Sequence, residues 1–392
     1  MLRTTLQATL LFQTHWIAAS AVYTPFREYS GTTFFDKWDY YGNIDDKTWG
    51  NVTFVDQANA TSLKLVDVNA AGNAIIKVDN TTNITAAPLV HRNSVRITSQ
   101  DAYPIGSVII ADMLHMPYGC SVWPSFWLLG TNLEWPDAGE IDIVEGINMY
   151  DKNQMSLHTT EGCKQAAPVT QVGKTLVSDC LDIAGTNNNG CVTEETKANS
   201  YGQGFATAGG GVYAVQIDVS GVYMWFWSRA NIPATITSAT STSTLDLSDW
   251  GTASAAYPAT ACNITQFFQP QKMIFDITLC GAWAGFPSLY KETCPGDCIA
   301  NNIIGPGSPT YDNAFFEIKY IRTYTAGDVA TPSSSAQGSA ASGASKSGST
   351  SPSASAGTTT VKGSSGAIRV VSGGYEAVLA FLSVLSLGWL GL

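Results

Sequence analysis

The stretch that most constrains the fold is Glu140–Glu145, in which three acids alternate with isoleucine and valine. Side chains of a β-strand point alternately to opposite faces, so Glu140 and Asp142 share one face and the two isoleucines share the other. The third acid comes one position late, because Val144 stands where alternation would place it. A β-bulge inserts one extra residue into a strand, so it would return Glu145 to the face that Glu140 and Asp142 share. The stretch therefore predicts a strand that is bulged near Ile143 and Val144, with three carboxylates on one side and an apolar core on the other.

Carboxylates that share a strand face repel each other, so their protonation states must differ. Such a group supplies one carboxylic acid and one carboxylate together. Glycoside hydrolysis uses this pair, and about 5 Å between the two carboxyls gives a covalent intermediate and retention of configuration. We assign Glu140 as nucleophile, Glu145 as acid/base and Asp142 as their helper, although order along the strand alone allows the reverse. A calcium site or a solvated face is the alternative, which the surrounding Ile, Val and Trp residues disfavour.

The rest of the chain from Val22 to about Thr325 reads as β-structure. Short runs of β-branched and aromatic residues alternate with Gly, Asn, Asp and Pro, and no long helical period appears. Ser220-Gly221 between two runs predicts a tight hairpin. Many short strands without alternating helices predict one all-β sandwich or barrel domain over residues 22–325. The predicted strands include Val52–Val55, Leu63–Val66, Ala74–Val78, Ser94–Thr98, Ser107–Met113, Gln154–Thr160, Tyr213–Val219, Val222–Trp227, Met273–Leu279 and Phe315–Tyr324.

Composition narrows the class of partner. The 392 residues are 45% hydrophobic and only 13% charged, which allows a large core. The net charge is −11 and no Lys/Arg cluster appears, so nucleic acid is not an expected partner. A neutral polysaccharide is compatible with this surface.

Both ends of the chain are predicted to carry targeting signals. Arg3, the apolar stretch from Leu6 to Ala19 and the sequence Ala19-Ser20-Ala21 predict a signal peptide over residues 1–21, with an ordinary N-terminal helix as the alternative. Residues 326–366 are dominated by Ser, Thr, Gly and Ala, which predicts a disordered, O-glycosylated stalk. The uncharged tail Ala377–Leu392 follows small residues and a spacer. Residues 367–392 therefore predict a GPI-anchor signal, with a membrane helix as the alternative.

Eight cysteines in a secreted chain predict up to four disulfides, whose pairing the sequence leaves open. Cys294 and Cys298 could also be a metal half-site, but no second Cys/His pair has zinc spacing. Five Asn-x-Ser/Thr sequons agree with secretion. They lie at Asn51, Asn59, Asn80, Asn83 and Asn263.

The acidic strand and the blocks around it resemble glycoside hydrolase family 16, in its fungal endo-1,3(4)-β-glucanase (laminarinase-like) branch. The resemblance covers residues 29–324. It implies a β-jelly-roll of two antiparallel sheets with a concave substrate cleft, and the role order nucleophile, helper, acid/base for the three acids. The matching blocks are Glu140-Ile-Asp-Ile-Val-Glu145, His115-Met-Pro117, Trp123-Pro-Ser-Phe-Trp127, Trp135-Pro136, Glu145-Gly-Ile-Asn148, Gln154-Met-Ser-Leu-His158, Gly209-Gly-Gly-Val-Tyr213 and Cys280-Gly-Ala-Trp283.

Further residues are candidates for the cleft. Gln154 and His158 share a strand face. If their strand returns beside the acids, His158 can hydrogen-bond a carboxylate or a sugar hydroxyl. The alternative for His158 is a purely structural role. Flat aromatic rings suit the C–H faces of glucose. Arg96 would donate to sugar hydroxyls or form a surface salt bridge, and Trp225 and Trp227 are expected in the core. The candidate sugar platforms are Trp123, Trp127, Trp135 and Trp283.

The sequence thus predicts a secreted, monomeric, retaining endo-β-glucanase that hydrolyses β-1,3 or mixed β-1,3/1,4 glucans without a cofactor or a metal in its active site, and it leaves a structural calcium open. A transglycosylase that transfers the same intermediate to another glucan is one alternative. A non-catalytic glucan-binding wall protein is another. The acids disfavour it, because binding alone requires the tryptophans and not the carboxylates.

Overall fold

Short strands dominate the domain, in agreement with the punctuated β-branched runs of the sequence. The computed structural model describes residues 22–183, 186 and 188–326, so the predicted signal peptide, the anchor signal and all but the first residue of the stalk lie outside it. In chain order the strands are β1 (Tyr23–Ser30), β2 (Trp38–Tyr40), β3 (Asn43–Ile44), β4 (Val52–Phe54), β5 (Val66–Val68), β6 (Ala74–Lys77), β7 (Arg92–Ser94), β8 (Arg96–Ser99), β9 (Ser107–His115), β10 (Val122–Gly130), β11 (Glu140–Glu145), β12 (Gln154–His158), β13 (Lys174–Val177), β14 (Cys191–Glu194), β15 (Gly211–Asp218), β16 (Gly221–Ser228), β17 (Ala255–Pro258), β18 (Gln271–Leu279) and β19 (Phe315–Ala326).

The helices between these strands are short. They are α1 (Gln57–Ser62), α2 (Gly202–Thr207), α3 (Ala234–Thr237), α4 (Ile264–Phe267), α5 (Gly281–Ala284) and α6 (Pro287–Thr293), with 3₁₀ turns at Gly31–Lys37 and Arg229–Asn231 and a π turn at Ile299–Ile303. None of the helices within the described ranges has the length and apolar character needed to cross a membrane.

The strands form two large antiparallel sheets. The first has the order β17-β16-β15-β9-β19-β6-β5, with β1 also paired to β19; the second has the order β13-β14-β12-β11-β10-β18-β8-β2. A small third sheet joins β3, β4 and β7. The all-β sandwich prediction is confirmed, and so is the hairpin at Ser220-Gly221, which joins β15 to β16.

One predicted strand is wrong. Residues Leu63–Val66 were expected to be extended, but α1 ends at Ser62 and β5 begins only at Val66. The Asp56 side chain caps α1 by accepting the Asn59 N–H at 2.8 Å, a stabilising arrangement at a helix N-terminus. Lys64 then takes a positive φ of 54°, so the chain turns where the apolar pattern alone suggested a strand.

The main core lies between the two large sheets. Ile141 on β11, Phe126 on β10 and Phe275 on β18 are buried and face the first sheet. Phe126 and Phe275 stack with ring centroids 4.3 Å apart, and Phe275 meets Phe316 of β19 edge to face. Because alternate residues of β10, β11 and β18 are committed to this core, the residues between them face outward on one surface of the second sheet.

A second apolar cluster covers the outer surface of the first sheet. Trp225 and Trp227 lie there, 7% exposed each, and Trp250 packs its edge against both rings. The prediction that Trp225 and Trp227 are core residues is confirmed, although they pack outside the sandwich rather than between its sheets.

Four disulfides close the domain, which confirms the disulfide prediction. The two cysteines of the suspected metal half-site, Cys294 and Cys298, bond to different partners. The pairs are Cys120–Cys294, Cys163–Cys262, Cys180–Cys191 and Cys280–Cys298.

Candidate active site

The acidic strand β11 lies in the second sheet between β10 and β12, and its acids face outward. On the β12 side Glu140 pairs with His158 and Glu145 pairs with Gln154, with a register shift between Asp142 and Glu145. On the β10 side Val144 pairs with Phe126 and Asp142 with Trp127, so Ile143 has no partner. The bulge therefore lies near Ile143 and Val144, as the extra residue before Glu145 predicted, and it returns Glu145 to the outward face.

Glu140 is held by two side chains. The Trp135 indole donates from Nε1 to Glu140 Oε2 at 2.8 Å, and His158 Nε2 lies 4.0 Å from Glu140 Oε1. The Glu140 side chain is 16% exposed, whereas Trp135 is 44% exposed. Trp135 therefore projects from the rim while its N–H fixes a largely enclosed carboxyl group.

Glu145 is fixed by different donors. Trp123 Nε1 donates to Glu145 Oε1 at 2.9 Å, and the Ser125 hydroxyl reaches the same oxygen at 3.4 Å. The Glu145 backbone N–H donates to Asn153 Oδ1 at 3.0 Å, and Asn153 Nδ2 donates to the Ile143 carbonyl at 2.8 Å. One buried amide thus satisfies both backbone groups that the bulge removes from the ladder.

His158 lies between carboxylates. Its Nε2 is 3.0 Å from Asp142 Oδ2, and its Nδ1 is 2.7 Å from Asp182 Oδ2. The Nε2 contact with Asp142 is short but not aligned as a hydrogen bond, since Asp142 Oδ2 has no aligned donor among the described residues. Charge attraction therefore connects this pair more than a directed hydrogen bond does.

A second polar group lies next to Glu145 on the same face. Ser125 pairs with Asp276 on β18, and Asp276 pairs with Arg96 on β8. Trp127 Nε1 donates to Asp276 Oδ1 at 2.7 Å. The Arg96 guanidinium stands 4.8 Å from the Tyr41 ring and 5.1 Å from the Trp127 ring. Arg96 is only 8% exposed, so its interpretation as a surface salt bridge is wrong.

The remaining candidates are also near this face. Trp283 lies on the short helix α5, not on a loop, and meets Trp123 edge to face with centroids 5.4 Å apart. Gln154 is half-buried beside Glu145 on β12. The arrangement brings the predicted acids, His158 and the tryptophans Trp123, Trp127 and Trp135 onto one surface.

Burial raises the pKa of both glutamic acids. For Glu145 the largest cause is burial, followed by the charge of Asp142, and together they raise the pKa to about 8 against the hydrogen bond from Trp123. The pKa of Glu140 is raised by the same two causes, while the nearby His158 acts to lower it. Burial also raises the pKa of Asp276 to about 6, although Arg96 and Trp127 act to lower it.

The same surface contains a cluster with the composition of a metal site. One donor atom from each of Glu140, Asp142 and His158 lies within 4.8 Å of the others. Burial lowers the pKa of His158, but Asp142, Asp182 and Glu140 outweigh it and leave the pKa well above its ordinary value. A protonated imidazole has no lone pair to offer a metal, so a metal at these three residues would have to displace the proton of His158.

Sequence reasoning missed four residues of this surface. Asp276 is an isolated acid between Phe275 and Ile277, and this alternation was a usable signal. Ser125 lies between the two predicted tryptophans and has the same parity. Asp182 and Asn153 lack such a signal, because a disulfide-linked segment and a turn bring them to the acids.

Comparison with known proteins agrees with this geometry. The sequence model of the XgeA-like catalytic domain of glycoside hydrolase family 16 matches residues 38–324. A probable glycosidase of Schizosaccharomyces pombe is 37% identical over 304 residues, which is 77% of this chain and 69% of the relative. An endo-1,3(4)-beta-glucanase of Emericella nidulans is 33% identical over 329 residues, 81% of this chain and 50% of the relative. The chain thus spans about half the length of the second relative.

Two solved structures are similar over the whole domain. Laminarinase 16A of Phanerochaete chrysosporium, solved with β-glucans in its donor and acceptor sites, has 35% identity and a TM-score of 0.72, covering 78% of this chain and 100% of its own. An elongating family 16 β-1,3-glucosyltransferase has 36% identity and a TM-score of 0.70, covering 77% of this chain and 100% of its own. The two-sheet sandwich, the bulged acidic strand and these similarities show that the chain belongs to glycoside hydrolase family 16.

Proposed function

We propose that this glycoside hydrolase is a retaining endo-β-glucanase that cleaves β-1,3 or mixed β-1,3/1,4 glucans, with Glu140 as nucleophile and Glu145 as acid/base. The observation that carries the proposal is the electrostatic difference between the two ends of β11. His158 Nε2 lies 4.0 Å from Glu140 Oε1, whereas Asp276 adds negative charge near Glu145 and opposes the effect that His158 also has on the pKa of that residue.

This difference supports the order of roles. A cation near a carboxyl group favours its ionised form, and a nearby carboxylate favours the protonated form. Burial and Asp142 raise the pKa of Glu140 well above its ordinary value, and His158 opposes that rise, so its charge favours the ionised form that a nucleophile needs. Glu145, with its pKa near 8, stays protonated at neutral pH and can donate to a leaving group.

The chemistry follows from these states. Glu140 attacks the anomeric carbon and forms a glycosyl ester, while Glu145 transfers its proton to the departing glycosidic oxygen. Glu145, now ionised, takes a proton from water as the water attacks the ester and releases Glu140. Asp142, between them on the strand, balances the charge of His158 through both steps.

The outward tryptophans support a polysaccharide substrate. Trp123, Trp127, Trp135 and Trp283 offer flat apolar faces near the acids, and such rings give large contact areas to sugar C–H faces. The Arg96 guanidinium stands 5.1 Å from the Trp127 ring, and its Nε is buried from solvent. We propose that a sugar hydroxyl accepts from another nitrogen of this guanidinium, and that Gln154 contacts another sugar beside Glu145.

Azide rescue tests the role order. Glu140→Ala and Glu145→Ala should each abolish hydrolysis of laminarin and lichenan, while Glu134→Ala, which removes an exposed acid, should not. With an activated substrate, azide should give the β-glycosyl azide from Glu145→Ala and the α-glycosyl azide from Glu140→Ala. The opposite products would reverse the roles, and activity retained by both variants would refute the proposal.

Glucan transfer is a second candidate function, favoured by the 36% identical structure described as an elongating β-1,3-glucosyltransferase. The covalent intermediate is common to both reactions, so the acids do not distinguish them. Sizing the products of laminarin oligosaccharides over time does: chains longer than the substrate indicate transfer, and only shorter chains indicate hydrolysis.

For location, we propose that the protein is secreted and GPI-anchored outside the cell. Four disulfides in the described domain are typical of an oxidising compartment. Release of the protein from cells by phosphatidylinositol-specific phospholipase would support the anchor, and no release would count against it.

A further inference from the structure

We infer that Asp182 is a positioning residue of this active site: through His158 it holds a positive charge beside Asp142 and Glu140, and the Cys180–Cys191 disulfide keeps it in place. This inference rests on the proposed function and extends it to a residue that does not face the glucan.

The contacts of the imidazole ring favour a charged His158. Its Nδ1 lies 2.7 Å from Asp182 Oδ2 and its Nε2 lies 3.0 Å from Asp142 Oδ2. A neutral imidazole has one N–H and one lone pair, whereas an imidazolium has two N–H groups. While both aspartates are ionised, only the imidazolium avoids placing a lone pair near one of the two carboxylates, so the geometry favours the charged form.

The charges around His158 are all negative at contact distance. Asp142 and Glu140 face it from β11, at 3.0 and 4.0 Å, and Asp182 faces it from the other side at 2.7 Å. Within the described ranges no Lys or Arg forms an ion pair with these three acids. His158 is therefore the local positive charge at the Glu140 end of the site. Asp182 attracts the proton of His158 without being one of the carboxyl groups that react.

Asp182 is held rigidly by its own segment. The Thr159 N–H donates to the Cys180 carbonyl at 2.8 Å, and the Asp182 N–H donates to the Thr159 carbonyl at 2.9 Å. The segment thus runs beside the residue that follows His158. Asp182 is 8% exposed, so its carboxylate is largely withdrawn from competing water.

The disulfide anchors both sides of this segment to the sheet. Cys180 lies two residues before Asp182, and Cys191 pairs with Leu157 on the strand that carries His158. Gly190 allows the close approach: a Cβ there would lie 2.6 Å from His158 Nδ1, at a φ of 76°. A side chain at this position would push the ring away from Asp182.

The expected effect concerns protonation of the nucleophile. Without the Asp182 charge, His158 loses its proton more readily, and Glu140 loses the cation that favours its ionised form. The acidic limb of the kcat/KM profile should then move to higher pH. We expect kcat to fall roughly tenfold to hundredfold, as when the orienting partner of a functional histidine is removed, with little change in KM because Asp182 lies behind the ring.

The test compares Asp182→Asn with Glu161→Gln, an exposed acid three residues after His158. Asp182→Asn should shift the acidic limb and Glu161→Gln should not, while Asp182→Glu should restore part of the activity. In a His158→Gln background, Asp182→Asn should add no further loss. Profiles that coincide for Asp182→Asn and Glu161→Gln, or additive losses in the double variant, would overturn the inference.

A measurement on the unmodified protein covers the case in which Asp182→Asn fails to fold. An NMR titration of the His158 ring should show a histidine that stays protonated well above pH 6.5, and titration at the ordinary value would also overturn the inference. The proposed function fails separately, if Glu140→Ala and Glu145→Ala keep their activity. The two failures are therefore distinguishable.

Discussion

Replacement of Glu145 by glutamine should stabilise the folded domain while it removes activity. The pKa of Glu145 is raised from 4.5 to about 8, first by burial and then by the charge of Asp142. In the unfolded chain the group ionises near 4.5, so the folded state holds a proton that the unfolded state has released. The free energy of unfolding therefore falls as the pH rises from 4.5 towards 8, and the contribution of the bound proton is fully present only below 4.5.

The size of the effect follows from the same values. Each pH unit between 4.5 and 8 costs the native protein up to about 1.4 kcal/mol. Glutamine resembles the protonated acid and can keep the bond from Trp123, but it does not titrate. Glu145→Gln should gain about 1 kcal/mol over the wild type at pH 5 and up to about 3 kcal/mol at pH 7.

Urea unfolding followed by tryptophan fluorescence at pH 5, 6 and 7 measures this difference. Glu134→Gln is the matched control, since it removes the same charge from an exposed position and should change stability by less than about 0.5 kcal/mol at every pH. A gain for Glu145→Gln that stays constant between pH 5 and pH 7, or a loss at pH 7, would refute the reasoning.

Three further predictions concern the groups around the acids. Trp135→Phe keeps an aromatic, although smaller, ring and removes the N–H that lies 2.8 Å from Glu140. We expect kcat/KM to fall about tenfold, the value of one hydrogen bond to a charged group near the surface, and the acidic limb of the pH–rate profile to move to higher pH. Asn153→Ala should cost about 2–4 kcal/mol in urea unfolding, because it leaves the Glu145 N–H and the Ile143 carbonyl unpaired; a cost below about 1 kcal/mol would contradict this. Gly190→Ala should lower both thermal stability and kcat, because its Cβ would meet His158 and the Leu157 carbonyl at 2.6 Å; unchanged kinetics would show that the ring has room to move.

Local alternation was sufficient to predict the acidic strand and its bulge. The order of acids and β-branched residues within Glu140–Glu145 is a property of one strand, and the bulge follows from a single late acid. His158 and Gln154 could be placed because β12 follows β11 after a short turn. Strand pairing between neighbours in sequence needs no knowledge of the rest of the fold.

Longer connections could not be predicted in this way. Asp276 reaches the acids because β18 pairs with β10, and these strands are more than a hundred residues apart in the chain. Asp182 depends on the Cys180–Cys191 pairing, which the sequence leaves among many alternatives. β10 is absent from the predicted strands, and it contains Pro124, although proline is unusual within a sheet. Pro124 is accommodated because β11 ends at Glu145, opposite Ser125, so no ladder bond to β11 is lost at residue 124.

The bulge explains why this site needs more than its three acids. An even strand would keep every backbone group paired, but the extra residue leaves the Ile143 carbonyl and the Glu145 N–H without ladder partners. Asn153 supplies both partners from the turn that leads into β12, and Trp123 and Ser125 then hold the carboxyl group that the bulge has turned outward. At the other end of the strand, where the ladder is regular, Glu140 needs no backbone support and is held by the Trp135 N–H and by the charge of His158. The two glutamic acids are thus set by different physical means. A change in the turn should therefore disturb Glu145, whereas a change around Asp182 should act through His158 on Glu140 and also on Glu145, whose pKa the charge of His158 lowers.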